Sequence, residues 1–134
     1  LMAEAVTPGV SPFERIGGRK RLSQVVDRFY GLMDDDPAYA SLRAMHAEDL
    51  TPMRSSLTDF LTAWMGGPRD WFEQRPGAGI MSAHARLGVT RETADQWVAA
   101  MSRALRDTVD DAPLVDAMLD ALAQMSRGMA RTSH

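Results

Sequence analysis

An all-α domain is the fold class this sequence predicts. Four long stretches carry apolar residues at helical spacing, helix start and stop signals bracket them, and no stretch of useful length alternates apolar and polar residues as a strand does. The chain has 134 residues, enough for one domain with a sizeable core, and its 45% apolar and 25% charged residues are an ordinary globular balance. Helices of similar length joined by loops of very different length fit crossed helix pairs better than a regular up-down bundle.

Residues 1–10 read as a flexible arm broken at Thr7-Pro8-Gly9, residues 11–131 as the domain, and residues 132–134 as a frayed end. Ser11-Pro12-Phe13-Glu14 is a helix start, with a serine cap, proline at the first position and an acid three residues on. Gly17-Gly18 stops that short helix, since glycine adopts the left-handed turn freely. From about Arg19 to Met33, one face collects Leu22, Val25, Val26, Phe29, Tyr30 and Met33. The acid run Asp34-Asp35-Asp36 before Pro37 lacks the alternation and distant glutamate of a calcium loop, and reads as a capping loop ahead of a short helical turn through Tyr39 and Leu42.

Thr51-Pro52 predicts a capped helix to about Met65, with Met53, Leu57, Phe60, Leu61, Trp64 and Met65 on one face and Gly66-Gly67-Pro68 as its stop. A loop is expected over residues 66–79, pinned by Trp71 and Phe72. Thr90 caps the next helix, whose inner face holds Ala94, Trp97, Val98, Met101, Ala104 and Leu105. Asp110-Asp111-Ala112-Pro113 starts the last, with Leu114, Met118, Ala121, Leu122, Met125 and Met129 as a long apolar stripe.

Composition removes several function classes. Without cysteine there is no disulfide, thiolate metal site, iron–sulfur cluster or cysteine nucleophile. A formal net charge of -3 argues against nucleic acid or an anionic membrane as the main partner. No apolar run is long enough to span a bilayer and residues 1–7 have no signal-peptide pattern, so a cytoplasmic protein is expected. No Ser-His-Asp spacing, phosphate-binding glycine loop or HExxH pattern is present. The ten methionines suit irregular core gaps, including those around a large flat ligand.

His84 sits between the loop Arg75-Pro76-Gly77-Ala78-Gly79 and the Trp97 helix. A neutral imidazole is a good donor to iron, so His84 is a candidate axial ligand of haem, although a lone histidine beside apolar residues is more often a core or surface residue. Tyr30 lies on an apolar face, and its buried hydroxyl needs either a backbone carbonyl or a polar ligand.

Five stretches, taken in order and at their separations, resemble truncated haemoglobins of the second group, the O-type two-on-two globins, over residues 12–130. They are Ile16-Gly17-Gly18; Val26-Asp27-Arg28-Phe29-Tyr30; the corner stretch from Leu42 to Leu50 containing His46; Trp64-Met65-Gly66-Gly67-Pro68; and Asp95-Gln96-Trp97. The resemblance implies a truncated globin fold, with the helices over 19–33 and 51–65 stacked on the last two around haem b. It implies His84 as the iron ligand and Tyr30, His46 and Trp97 as polar groups on the opposite, distal side. Met53 takes the distal-gate position, and Leu57, Phe60, Leu61 and Met101 line the haem. His46 and Trp97 also have plain readings, as a loop residue and a core residue.

The family's basic run before the iron-binding histidine is replaced by the uncharged stretch from Pro76 to Ala83, which leaves Arg75, Arg86 or Arg69 to hold the haem propionates. The implied ligands are dioxygen, carbon monoxide, nitric oxide or peroxide. The implied function is binding of a diatomic ligand at five-coordinate iron. Peroxidase or nitric-oxide-oxidising activity with a separate reductase is the enzymatic alternative, and a haem-deficient interaction module the third. A homodimer is compatible with each.

Overall fold

The computed structural model describes residues 10–68 and 89–132, and within them the all-α class holds. The elements are α1 (Pro12–Ile16), α2 (Gly18–Asp35), a 3₁₀ turn (Pro37–Tyr39), α3 (Ala40–Ala44), α4 (Thr51–Trp64), α5 (Arg91–Thr108) and α6 (Ala112–Thr132). Of the loop expected over 66–79, Trp71 and Phe72 lie outside the described residues.

Local chemistry sets most of the helix ends. The Ser11 hydroxyl accepts from the Glu14 N–H at 3.1 Å, with Pro12 at the first position of α1. Gly17 and Gly18 take φ of 111° and 75°, the left-handed region that stops α1 and turns the chain into α2. Thr90 and Thr93 form a reciprocal capping box at the start of α5. The acid run serves as caps: Asp36 accepts from the Ala38 N–H at 2.9 Å and from Arg103 at 2.7 Å, while Asp34 takes Arg43 at 2.6 Å. α2 therefore runs two residues past Met33, because apolar spacing marks only its buried turns.

The expected Thr51 cap is corrected. Leu50 occupies the cap position of α4 without a side-chain bond, and Thr51 is already helical. Its N–H is satisfied by the Asp49 carboxylate at 3.0 Å, which places a negative charge at the helix N-terminus, where the dipole favours it.

α2 packs against α4 on one side and α5 on the other, and α5 packs against α6. Leu22, Val25, Val26 and Phe29 of α2, Leu61 of α4, Met101 and Leu105 of α5, and Leu114 and Met118 of α6 are fully buried. The pairs α2–α4 and α5–α6 thus form two stacked layers joined through α2 and α5. Among the described residues, α4 and α6 make at most slight contact with each other. No helix among the described residues is long and apolar enough to cross a membrane.

α1 closes the base of this stack. The Phe13 N–H donates to the Met65 carbonyl at 2.9 Å, just past α4. A Cβ on Gly67 would lie 2.8 Å from the Phe13 ring and 2.9 Å from the Thr62 carbonyl oxygen. The carbonyl belongs to α4 and cannot move aside without breaking the helix end. Gly67→Ala is expected to cost about 1–3 kcal/mol, as overpacking does. It should appear as a lowered midpoint in thermal or urea unfolding, and an unchanged midpoint would show that α1 yields freely.

Arg15 of α1 and Asp111 at the start of α6 form a two-point ion pair, one arm at 2.8 Å, and Asp111 also accepts from the Leu114 N–H at 3.2 Å. The Arg15 guanidinium, with a smaller contribution from the Leu114 N–H, holds the Asp111 carboxyl below its usual range. A depressed carboxylate pKa contributes stability above the unfolded value and loses it as pH falls through the folded one. Asp111→Asn should therefore lower the melting temperature by a constant amount at neutral pH, and the gap to the parent should close below about pH 4. A gap independent of pH would show that charge plays no part there.

Candidate functional site

Because α4 and α6 stand apart, their facing apolar side chains enclose a cavity of about 410 Å³ rather than each other. Met53, Ser56, Leu57 and Phe60 line it from α4, and Leu122, Met125, Ser126 and Met129 from α6. Thr93, Ala94 and Trp97 of α5 form a further wall, with Val89 just before that helix. Tyr30 of α2, Leu42 of α3 and the following Met45, His46 and Ala47 complete the lining among the described residues. No Asp, Glu, Lys or Arg is among these described lining residues.

Aromatic side chains gather at one end. The Phe29 ring lies 5.0 Å from Tyr30 and 5.3 Å from Trp97, and the His46 ring meets Tyr30 edge-on at 6.0 Å. Tyr30 is 2% exposed, yet its hydroxyl makes no hydrogen bond among the described residues, and neither does the Trp97 indole N–H. Burial pushes the Tyr30 pKa up to about 12, against a smaller opposing effect of the Arg54 charge. The phenol is therefore neutral, and a donor, at any ordinary pH.

His46 is oriented by its own loop. Its Nδ1 lies 2.9 Å from the Leu42 carbonyl, which can only accept, so Nδ1 carries a proton. The Leu42 N–H in turn donates to Gln96 of α5 at 3.0 Å. Arg43 spans the loop beyond, donating to the carbonyls of Ala47 at 2.9 Å and Glu48 at 3.0 Å.

Of the residues singled out from sequence, Tyr30, His46, Met53, Leu57, Phe60 and Trp97 meet at this one cavity. Leu61 and Met101 do not line it: both are fully buried in the core between the helix layers. Their place on an apolar face gave the direction of each side chain but not its depth. His84, Arg75, Arg69 and Arg86 lie outside the described residues. The wall from α6 was visible in sequence only as an apolar stripe, and Met45, Ser56 and Thr93 carried no signal that would have assigned them.

The cavity fits haem on its own terms. Its volume is in the range of ligand sites, roughly 300–1,000 Å³. Met53 is 39% exposed and Leu57 and Met125 are half-buried, apolar surface that a flat apolar ligand between α4 and α6 would cover. Tyr30 and Trp97, whose donors make no hydrogen bond among the described residues, both line it, so a small polar ligand can take them.

Two stacked helix pairs with the ligand cavity between α4 and α6 define a small two-on-two globin. The chain belongs to the bacterial-like globin family, whose model matches residues 11–131. It is 33% identical over 95 residues to the group 2 truncated haemoglobin YjbI of Bacillus subtilis, covering 71% of this chain and 69% of that protein. It superposes on the group II two-on-two haemoglobin of Agrobacterium tumefaciens with a TM-score of 0.87 and 28% identity, covering 92% of this chain and 95% of the other. For the truncated oxygen-avid haemoglobin of Bacillus subtilis the TM-score is 0.80 at 27% identity, covering 92% and 99%. The group II resemblance read from the motifs therefore stands, and the chain is a haem-binding globin.

A raised tyrosine pKa has a signature in stability. Folding favours the neutral phenol, so the stability is fully present below the ordinary value near 10 and is lost as pH rises toward the folded value of about 12. Tyr30→Phe should lose less stability than the parent over that window in chemical denaturation. Parallel losses would show that Tyr30 ionises as freely as in the unfolded chain.

Proposed function

We propose that this protein binds dioxygen, or another diatomic ligand of the same shape, at haem b held between α4 and α6, with His84 as the axial ligand. The observation that carries the reading is that Tyr30 and Trp97, whose O–H and N–H make no hydrogen bond among the described residues, line one mainly apolar cavity. Haem iron, when bound, supplies the coordination site for the diatomic. The chain's own residues do the rest. Leu57, Phe60, Leu122 and Met125 exclude water and cover the apolar faces of the ring. Tyr30 and Trp97 donate hydrogen bonds to a ligand that has gained negative character, which strengthens in the dry cavity and slows release. His46 is held in the corner loop by its Nδ1 bond to the Leu42 carbonyl, with its ring edge-on to Tyr30. One structural relative is described as oxygen-avid, which agrees with a cavity holding two such donors.

The test is hemin titration of the purified protein, followed by reduction and carbon monoxide. One hemin per chain and a sharp Soret shift with carbon monoxide are expected; a folded helical protein that takes up no hemin would overturn the proposal. His84→Ala should abolish the five-coordinate ferrous spectrum, and an unchanged spectrum would remove His84 as the ligand. Trp97→Phe and Tyr30→Phe should each speed oxygen release about fivefold or more, the loss of one donor worth ~1–3 kcal/mol. Unchanged release in both would exclude the two donors.

A further inference from the structure

Arg54 stands one residue after Met53, in the first turn of α4, and does not line the cavity. Its guanidinium carbon lies 5.8 Å from the centroid of the Tyr30 ring, over the ring's face. Its Nη1 donates to Asp27 of α2 at 3.1 Å, and Asp27 is one helical turn before Tyr30. The Tyr30 ring is thus bounded by Phe29 and His46 as well as by a cation held from its own helix.

Helix stability does not account for this placement. A cation in the first turn opposes the helix dipole, and the charge that answers the dipole there is the Asp49 carboxylate at the Thr51 N–H, not Arg54. The Asp27 pair is solvent-facing, with side chains 36% and 60% exposed, and such pairs contribute little. A residue that breaks a local rule without a stability gain is a candidate for a functional role. The cation over the ring supplies one: it attracts the π face and fixes the ring, and its field draws electron density from the phenol, so the O–H becomes a stronger donor.

We infer that Arg54, tethered by Asp27, is a positioning residue that holds the Tyr30 ring and strengthens its hydroxyl as a donor to the bound ligand. The inference rests on Tyr30 being that donor. The experiment compares the haem-loaded parent with Tyr30→Phe, Arg54→Met and Arg54→Lys, reading the infrared stretch of bound carbon monoxide, the oxygen off-rate and the melting temperature. The carbon monoxide stretch reports the electrostatic field at the ligand, which a merely structural role would not move. Arg54→Met should shift the stretch toward the Tyr30→Phe position and speed oxygen release about two- to fivefold. The melting temperature should stay close to the parent's, and Arg54→Lys should recover most of both ligand readouts by restoring the charge. A Tyr30→Phe shift with no Arg54→Met shift would overturn the Arg54 inference alone, as would an Arg54→Lys variant indistinguishable from Arg54→Met. No change in Tyr30→Phe itself would remove Tyr30 as donor, and the Arg54 inference with it.

Discussion

α4 and α6 each present an apolar face, and no helix among the described residues packs between them. That constraint organises the rest. Apolar surface is driven from water in proportion to its area, so two such faces ordinarily close on each other. Here α2 and α5 hold them apart. The side chains of α2 (Leu22, Val25, Val26 and Phe29) and of α5 (Met101, Ala104 and Leu105) complete their packing in the layer between. What is left over is a slot bounded by helices that are fixed elsewhere. A large apolar ligand closes it, and binding then contributes to folding stability because the unfolded chain has no such slot.

The same arrangement explains why the polar groups sit where they do. Tyr30 and Trp97 lie at the junction of the layers, each packed on Phe29 through its ring and each lining the cavity. Donors fixed by aromatic packing need little reorganisation when a ligand arrives, and in a mainly apolar cavity their bonds are stronger than in water. His46 is held differently, by a backbone carbonyl and a loop braced by Arg43 and Gln96. Its tautomer is therefore a property of the corner loop rather than of the ligand.

Helix ends and faces were readable from the chain because their causes are local. Ser11, Gly17, Gly18 and Thr90 act on backbone groups within four residues of themselves. The start of α4 was not read correctly, because the Thr51-Pro52 pattern suits a threonine cap and an Asp49 carboxylate reaching the Thr51 N–H equally well. Depth was less legible than direction. Leu57 and Leu61 share a face of α4, yet one lines the cavity and the other is sealed between layers, since that depends on what α2 and α5 place opposite. The α6 wall shows the same limit: the spacing of Leu122 and Met125 is that of any packed helix, and only its separation from α4 makes it a cavity wall.

Arg54 is where local and global requirements part. Judged by helix rules alone it is misplaced, and judged by ion pairing it is weakly used. Its position becomes intelligible through a contact between two helices, which neither the α2 nor the α4 pattern contains. Asp27 and Tyr30 are one turn apart on α2, so a cation bound by the first is delivered to the ring of the second. The α2–α4 packing that keeps the slot open also sets this distance. Ligand retention and layer packing are then coupled: a change that shifts α4 along α2 moves Arg54 relative to the Tyr30 ring and the α4 wall of the cavity together.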